Sequence, residues 1–529
     1  MLDVSYLSGG KVNRPIDTSS ASNNSVTISG ANTQVTSRNI ISGGWTNGTG
    51  TANENSVTIN EGATVSSNIY AGESHTGEAS KNKVIIDSAT VTNGQILGGN
   101  IVTNGIANEN SVVIRGTAVV TGDITGGGSQ HSNSGPKEAN NNEVIIDGTA
   151  KIIGTITGGE SIQQNGTANS NKITIGENAN ISQVTQITGA TSAQGTANNN
   201  ELNIAGSVSA NTSITGGIGN TDASDNNILI SGDSAGAVIG GQSSQGTANN
   251  NDITIGGNAT GNITGSIGQT GASDNNITIS GNSTGAVIGG QSEAGSANKN
   301  DITIGGDSTG NITGGDGKDG ASDNNILISG NSTGAIIGGQ SAQGTANNND
   351  IIIGGSVGGN VIGGIGNTDA GDNNITIAGS VTGSVTGGQS TQGTANKNDI
   401  TIGGSVSGNV TGGEGQTGAS DNNIAISGNS TGAIIGGQSA QGTANKNDII
   451  IGGNATGNIT GGIGNTDAGD NNITITGSVT GSVTGGQSAQ GTANKNDITI
   501  GGSVSGNVTG GDGKTGAENN NISVAGSVG

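Results

Sequence analysis

Short apolar pairs divided by one polar residue recur along this 529-residue chain, as in Ile473-Thr474-Ile475. That alternation is the period of a strand that turns one face inward. Anchored on the first apolar residue, the pattern has twenty copies, from Val26, Val57 and Val84 to Ile473, Ile498 and Ile522. The first seven steps run from 26 to 32 residues. From Ile228 onward they alternate between 25 and 24, so the unit there is a 49-residue pair whose extra residue falls in the loop that contains Gln-Ser, as in Gly240–Gly246. Asparagine stands two residues before every anchor, from Asn24 and Asn55 to Asn520, and alanine three residues before that, from Ala21 to Ala517. A period of this length, held by small and polar residues, marks a repeat architecture.

One unit predicts one turn of a solenoid. Ile473 and Ile475 point inward, Gly477 permits a corner, and Val479 and Val483 open two further short faces. The pair Gly485-Gly486 is expected to turn the chain, and the polar residues 487–497 to close the coil. The glycine density, the β-branched residues and the lack of a 3.6-residue stripe exclude helix. The predicted fold is all-β: a single-stranded parallel β-helix of about twenty coils of 24–32 residues. Three regions follow: an N-terminal segment 1–20 without the motif, expected to cover the first coil; irregular coils with longer loops over 21–225; and regular coils of alternating 25 and 24 residues over 226–529.

Composition agrees with a thin core. The chain has 106 Gly, no Phe, no Cys, one Trp and two Tyr, too few large side chains for a conventional globular interior. A net charge of −23 would suit disorder, yet disordered chains have no reason to keep Val and Ile in register. A solenoid needs only a narrow apolar strip, because each coil is covered by its neighbours. The asparagine column is expected to sit at a corner, passing amide hydrogen bonds up the stack and adopting a turn or left-handed backbone. The alanine marks an inward place too small for more.

Charges follow the same period. Before the Asn, Asp274, Lys299, Asp323, Lys397, Asp421, Lys446, Asp470 and Lys495 mostly alternate in sign. After it, Asp301, Asp350, Asp399, Asp448 and Asp497 are separated by Asn325, Asn374, Asn423 and Asn472. Like charges opposed on adjacent strands cost about 0.2–1 kcal/mol per pair, so the 49-residue pair penalises a slip by one coil.

Candidate chemistry is sparse. His75 and His131 are the only histidines and occupy inequivalent places in the repeat, which argues against catalytic or metal centres built on them. No catalytic residue, metal ligand or cofactor is assigned. Gly314-Gly315-Asp316-Gly317-Lys318-Asp319 matches the start of a calcium-binding nonapeptide, but no tandem nine-residue copies follow. The outward threonines, such as Thr278, Thr303 and Thr376, are interrupted by Leu229, Leu327, Ile352, Ala425 and Ile450. That breaks the face an ice binder would need and suggests lateral packing between copies. The acidic balance argues against nucleic acid and anionic membranes as partners, and no segment has the length of a membrane-crossing helix. The region 1–14 has no apolar core of a secretion signal. The chain stops at Val524-Ala525-Gly526-Ser527-Val528-Gly529, part-way through a coil, which suggests a piece of a longer chain or self-association through an uncapped C-terminal coil.

Units such as Ala52-Asn53-Glu54-Asn55-Ser56-Val57-Thr58-Ile59 with Asn68-Ile69-Tyr70-Ala71-Gly72, and Ala272-Ser273-Asp274-Asn275-Asn276-Ile277-Thr278-Ile279 with Val287-Ile288-Gly289-Gly290, resemble the repetitive passenger regions of bacterial autotransporter adhesins. The resemblance covers about residues 21–529. It implies a right-handed, extracellular β-helical stalk at the bacterial cell surface, folded coil by coil after export, although that family's signal and translocator barrel have no counterpart in this sequence. The function expected is a non-enzymatic stalk or adhesin that meets a surface receptor or glycan through the irregular coils, with Trp45, Tyr70, His75 and His131 in contact loops. A self-assembling filament and an enzyme acting on polysaccharide are the alternatives. The latter would need a local group of Asp, Lys and Arg that breaks the repeat, and none stands out along the chain.

Overall fold

The computed structural model describes residues 2–13, 18–130 and 134–529; His131 lies outside them. Within them the chain is a parallel β-solenoid of about 19 turns, with strands and turns and no helix. It divides into two compact units, Met1–Thr270 and Gly271–Gly529.

The coil of the second unit shows why these residues form these strands. Asn472–Ile475 pairs in parallel with Asp448–Ile451 and Asp497–Ile500, anchor on anchor, with Ile473 opposite Ile449 and Ile498. Val479 makes single bridges to Ala455 and Val504, and Val483–Ser488 pairs with Ile459–Gly464. Thr492 then bridges Asp467 and Gly516. Two sheets result, an anchor sheet and a glycine sheet, joined by bridged corners. Ile473, Ile475, Val479, Val483 and Ala493 fill the space between them, each at most 1% exposed. Fully burying such an Ile or Val stabilises by about 1.5–3 kcal/mol, and only stacking achieves it. The extra residue of the longer coils lies between Ser243 and the bridge at Thr247, where the shorter coil passes from Gly268 to Gly271 in three steps.

Two expectations are corrected. The Gly-Gly pair does not turn the chain: Gly485 and Gly486 lie inside the strand Val483–Ser488. A β-carbon on Gly485 would strike the Cβ of Asn496 and the carbonyl of Gly510, so glycine stands there because the asparagine column occupies the facing space. Nor does that column carry the left-handed backbone. The residue before each Asn does: Lys397 at φ 57°, Asp421 at 58° and Lys446 at 56°. The asparagines are buried, with Asn398, Asn422, Asn447 and Asn496 all at 0% exposure.

Each Asn Oδ1 accepts two hydrogen bonds from the preceding coil. Asn373 Oδ1 takes the Asn349 backbone N–H at 3.0 Å and its Nδ2–H at 2.9 Å, and Asn373 in turn donates to Asn398 at 3.1 and 3.0 Å. The same ladder runs from Asn24 to Asn251 in the first unit and from Asn275 to Asn520 in the second. It therefore doubles as a backbone-satisfying device at a corner where the left-handed residue interrupts the strand.

The charge pattern is realised as register rather than as ion pairs. Asp350 and Asp399 each oppose Asn374, so no two Asp of that column are neighbours. The four ion pairs among the described residues, Arg38–Asp3, Lys81–Glu109, Arg115–Asp87 and Lys172–Glu201, all lie in the first unit. The alternating Asp and Lys from Asp274 to Lys495 thus contribute by sign alternation alone. Outward on the anchor sheets, Leu229, Ile352 and Ile450 are 39%, 40% and 50% exposed.

The first unit departs from this regularity on its glycine sheet. Its first strands are β1 (Leu2–Val4), β2 (Leu7–Val12), β3 (Ser25–Ser29), β4 (Gln34–Thr46), β5 (Ser56–Asn60) and β6 (Thr64–Ser74). β1 and β2 both pair in parallel with β4, so the N-terminal segment is a partial coil laid on the glycine sheet, and β4 continues to β6.

Candidate functional site

Residues just after the glycine pair point outward from the glycine sheet and stack in register. In the second unit that row is plain: Gln291, Asp316, Gln340, Ile365, Gln389, Glu414, Gln438, Ile463, Gln487 and Asp512. Its carboxylates recur every 98 residues, at Asp316, Glu414 and Asp512. In the first unit the same row reads Lys11, Trp45, Glu73, Asn100, Gly128, Glu160, Thr191 and Ile218, and no two neighbours are alike. The row beside it reads Ser42, Tyr70, Leu97, Thr125, Thr157 and Thr188.

Some of these outward side chains are covered. Tyr70 is 0% exposed, Leu97 2% and Glu73 6%, although they stand on the outer face of a sheet. Gln130, just past the strand Ile124–Gly128, reaches back two coils and accepts the Tyr70 hydroxyl at 2.8 Å. Tyr70, Leu97 and Ile40 form a small apolar cluster outside the solenoid's own core, with Tyr6 and Trp45 packed against it. Tyr6, Trp45 and Tyr70 are all the aromatic residues of the chain, and they meet here. Tyr6 and Trp45 are edge to face, with centroids 6.0 Å apart at 73°. The Lys11 ammonium lies 4.6 Å from the Tyr6 ring centroid and 4.7 Å from that of Trp45, a cation held over two π faces.

Two carboxyls sit under this cover. Glu73 accepts the Trp45 indole N–H at 2.9 Å through Oε1, while its buried Oε2 lacks a hydrogen-bond partner. Burial pushes its carboxyl up to about 7; the Trp45 bond and the nearby Asn100 amide oppose that shift only in part. Asn100 Nδ2 lies close enough to favour the charged form but outside hydrogen-bond geometry, and the buried Tyr6 hydroxyl stands in the same relation to Ser42 and Ser8. Glu160 bends over Gly128, where the row has no side chain, and burial pushes it up to about 7 as well, against a backbone hydrogen bond from Ser129. Burial, helped by the Glu73 charge, raises both tyrosine hydroxyls far above their ordinary range.

Two cavities flank the cover and share Gln130. One, of about 380 Å³, is lined by Tyr6, Arg38, Asn39, Ile40, Trp45, Asn68 and Glu73. The other, of about 250 Å³, is lined by Gln95, Leu97, Asp123, Thr125, Thr155, Thr157, Glu160 and Thr191. The surface between them mixes an aromatic wall, carboxyls, amides and hydroxyls.

Of the residues expected in contact loops, Trp45 and Tyr70 are brought together, but on β4 and β6 rather than in loops. Tyr70 is buried there, because the row it stands in is roofed by Gln130. His75 follows β6 in a turn, its N–H bonded to Thr46 O at 3.1 Å and its carbonyl to the Thr103 hydroxyl at 2.8 Å, and it lines neither cavity. Tyr6, Lys11, Glu73, Asn100, Gln130 and Glu160 were not singled out by the sequence. The signal for them lies in aligning Gly43-Gly44-Trp45-Thr46, Ala71-Gly72-Glu73-Ser74 and Gly158-Gly159-Glu160-Ser161 with Gly240-Gly241-Gln242-Ser243. A local group of Lys, Arg and acids that breaks the repeat is therefore present. Among the described residues, no group of three His, Asp or Glu is placed to hold a metal ion, and no helix is long and apolar enough to cross a membrane. No protein-family model matches the chain, and the searches of curated proteins and of solved structures returned no match.

Proposed function

We propose that the chain is a non-enzymatic stalk or adhesin of the bacterial cell surface, whose regular coils carry a contact region on the glycine sheet of the first unit. One observation supports this reading above the rest. The row that is monotonous through the second unit carries, in the first, Lys11, Trp45, Glu73 and Glu160, and it lies beside Tyr6 and the buried Tyr70, so that all three aromatic residues meet there. Solenoid coils need only nearest-neighbour stacking, so side chains that break the repeat on an outer face are free to serve contact. The acidic balance and the absence of cysteine suit an exterior surface. The test is adhesion of cells displaying the chain. Antibodies against residues 34–191 are expected to block it and antibodies against 301–500 to leave it intact; equal blocking by both would remove the reading.

Glu160 also favours a second reading, an enzyme acting on polysaccharide, because a carboxyl held up to about 7 beside Asp123 could lend a proton to a leaving oxygen. Against it, Asp123 Oδ1 is already engaged by the Thr155 N–H and hydroxyl at 2.9 and 2.8 Å, a structural use of that carboxylate. Release of reducing ends from a polysaccharide panel, abolished by Glu160→Gln, would establish the enzyme.

A further inference from the structure

The geometry points to a neutral oligosaccharide as the occupant of the two cavities that meet at Gln130. This rests on the reading of the first unit as the contact region and names the chemical class of what it meets. A sugar ring offers hydroxyls that both donate and accept, and a C–H face that packs on an aromatic wall. The cavities offer the complements of both. At one end stands the half-buried Trp45, edge to face with Tyr6. At the other, Gln95, Thr157 and Glu160 supply amide, hydroxyl and carboxyl groups above the apolar floor of Leu97. The volumes of about 380 and 250 Å³ together fall in the range of small-ligand sites.

Charge narrows the class. Two carboxyls that titrate near neutrality and the Asp123 carboxylate would repel a uronic or sialic acid. Arg38, the cation that lines a cavity, is engaged by Asp3 at 3.3 Å, and Lys11 is held over the aromatic rings. A second observation concerns the polar atoms in and behind the wall of the larger cavity. Of the five buried side-chain polar atoms without a hydrogen-bond partner among the described residues, three cluster here: Tyr6 OH, Glu73 Oε2 and Asn100 Nδ2. Buried polar atoms are nearly always satisfied; here Glu73 Oε2 faces Asn100 Nδ2 and Tyr6 OH faces Ser8 and Ser42, all just outside hydrogen-bond geometry, so the polar groups of this wall are loosely held.

Trp45 is the sole tryptophan, so intrinsic emission reports on this site alone. The full chain is titrated with cello-, malto- and β-1,3-gluco-oligosaccharides of about four to six units, and with oligogalacturonate as the acidic counterpart. A saturable change of Trp45 emission with at least one neutral oligomer, and a weaker response to the acidic one, is expected. Glu160→Gln and Tyr6→Phe each remove a group that burial disfavours, so neither should lower the melting temperature, yet each should weaken binding about five- to tenfold. No response to any neutral oligomer with the β signature of circular dichroism intact overturns the inference. So does tighter binding of the acidic oligomer, or unchanged affinity in both variants. Cell adhesion separates the two claims: adhesion without sugar binding sinks the ligand class and leaves the stalk, whereas sugar binding without adhesion supports the ligand class and removes the adhesin.

Discussion

Replacing Asn373 by Ala removes one rung of the buried amide ladder in the second unit, and its cost can be worked out from the bonds lost. Asn373 Oδ1 accepts the Asn349 backbone N–H and Nδ2–H, and Asn373 Nδ2 donates to Asn398 Oδ1 and to Ala370 O, each at 3.0 Å. Asn398 Oδ1 keeps the Asn373 backbone N–H, so the acceptor side is only partly orphaned. The two Asn349 donors are left bare in a place where Asn349 is 0% exposed. At about 1–3 kcal/mol for each unsatisfied buried group, the loss is about 2–6 kcal/mol, with about 4 as the central value. Opening of the coils that hold Asp350–Ile353 and Asn374–Ile377 should then become about a thousandfold easier. Hydrogen exchange read by mass spectrometry follows those strands directly. Thr376→Ala, on the outward face of the same strand, is the control and should change protection little, by about 0.5 kcal/mol at most. A loss below about 1 kcal/mol in Asn373→Ala would mean that the ladder is ornament and that apolar stacking alone holds the coils.

Three other outcomes follow from the same structure. Gly388→Ala drives a β-carbon into the Ala370 carbonyl, a backbone atom that cannot yield, and should cost about 3 kcal/mol in urea unfolding. Lys397 sits at φ 57°, so Lys397→Asn should be neutral or stabilising, whereas the β-branched Lys397→Val should cost about 1–2 kcal/mol in the same assay. Glu73 and Glu160 hold their protons up to about 7 in the folded unit, against 4.5 in the unfolded chain. The folded form thus binds more protons between those values, and stability falls as pH rises through that window. The contribution is whole below about pH 4.5, gone above about pH 7, and on the order of 3 kcal/mol at most for each group. Thermal unfolding of the first unit across that range should show the slope, and the double variant Glu73→Gln, Glu160→Gln should flatten it.

The solenoid was legible in the sequence because its causes are local and repeated. The anchors Ile449, Ile473 and Ile498 fall in register because each is the first apolar residue of an identical strand, and burial of one side chain fixes the coil spacing for all. The asparagine column was legible as a ladder, but its place was not. That Asn496 faces Gly485 across the coil, and that the residue before it takes the left-handed turn, depends on how two sheets close on one another. The contact region was least legible. Glu73 looks like an ordinary polar residue until Trp45 is laid on one side of it, Asn100 on the other and Gln130 across the top. Those contacts join residues about one or two coils apart on a face that the period-two pattern assigns to solvent. No property of Glu73 alone marks it as buried, or of Glu160 as half-buried.

The amide ladder has a direction: every described rung donates its Nδ2–H forward and accepts backward. Any cut between coils therefore bares a donor on one side and its matching acceptor on the other, and every such cut bares the same pair. Unequal recombination between near-identical 49-residue coding blocks would rejoin cut faces that already fit. Coil number can then drift between related genes without a compensating substitution, while the singular coils of the first unit, each with its own neighbours on the outer face, admit no such exchange.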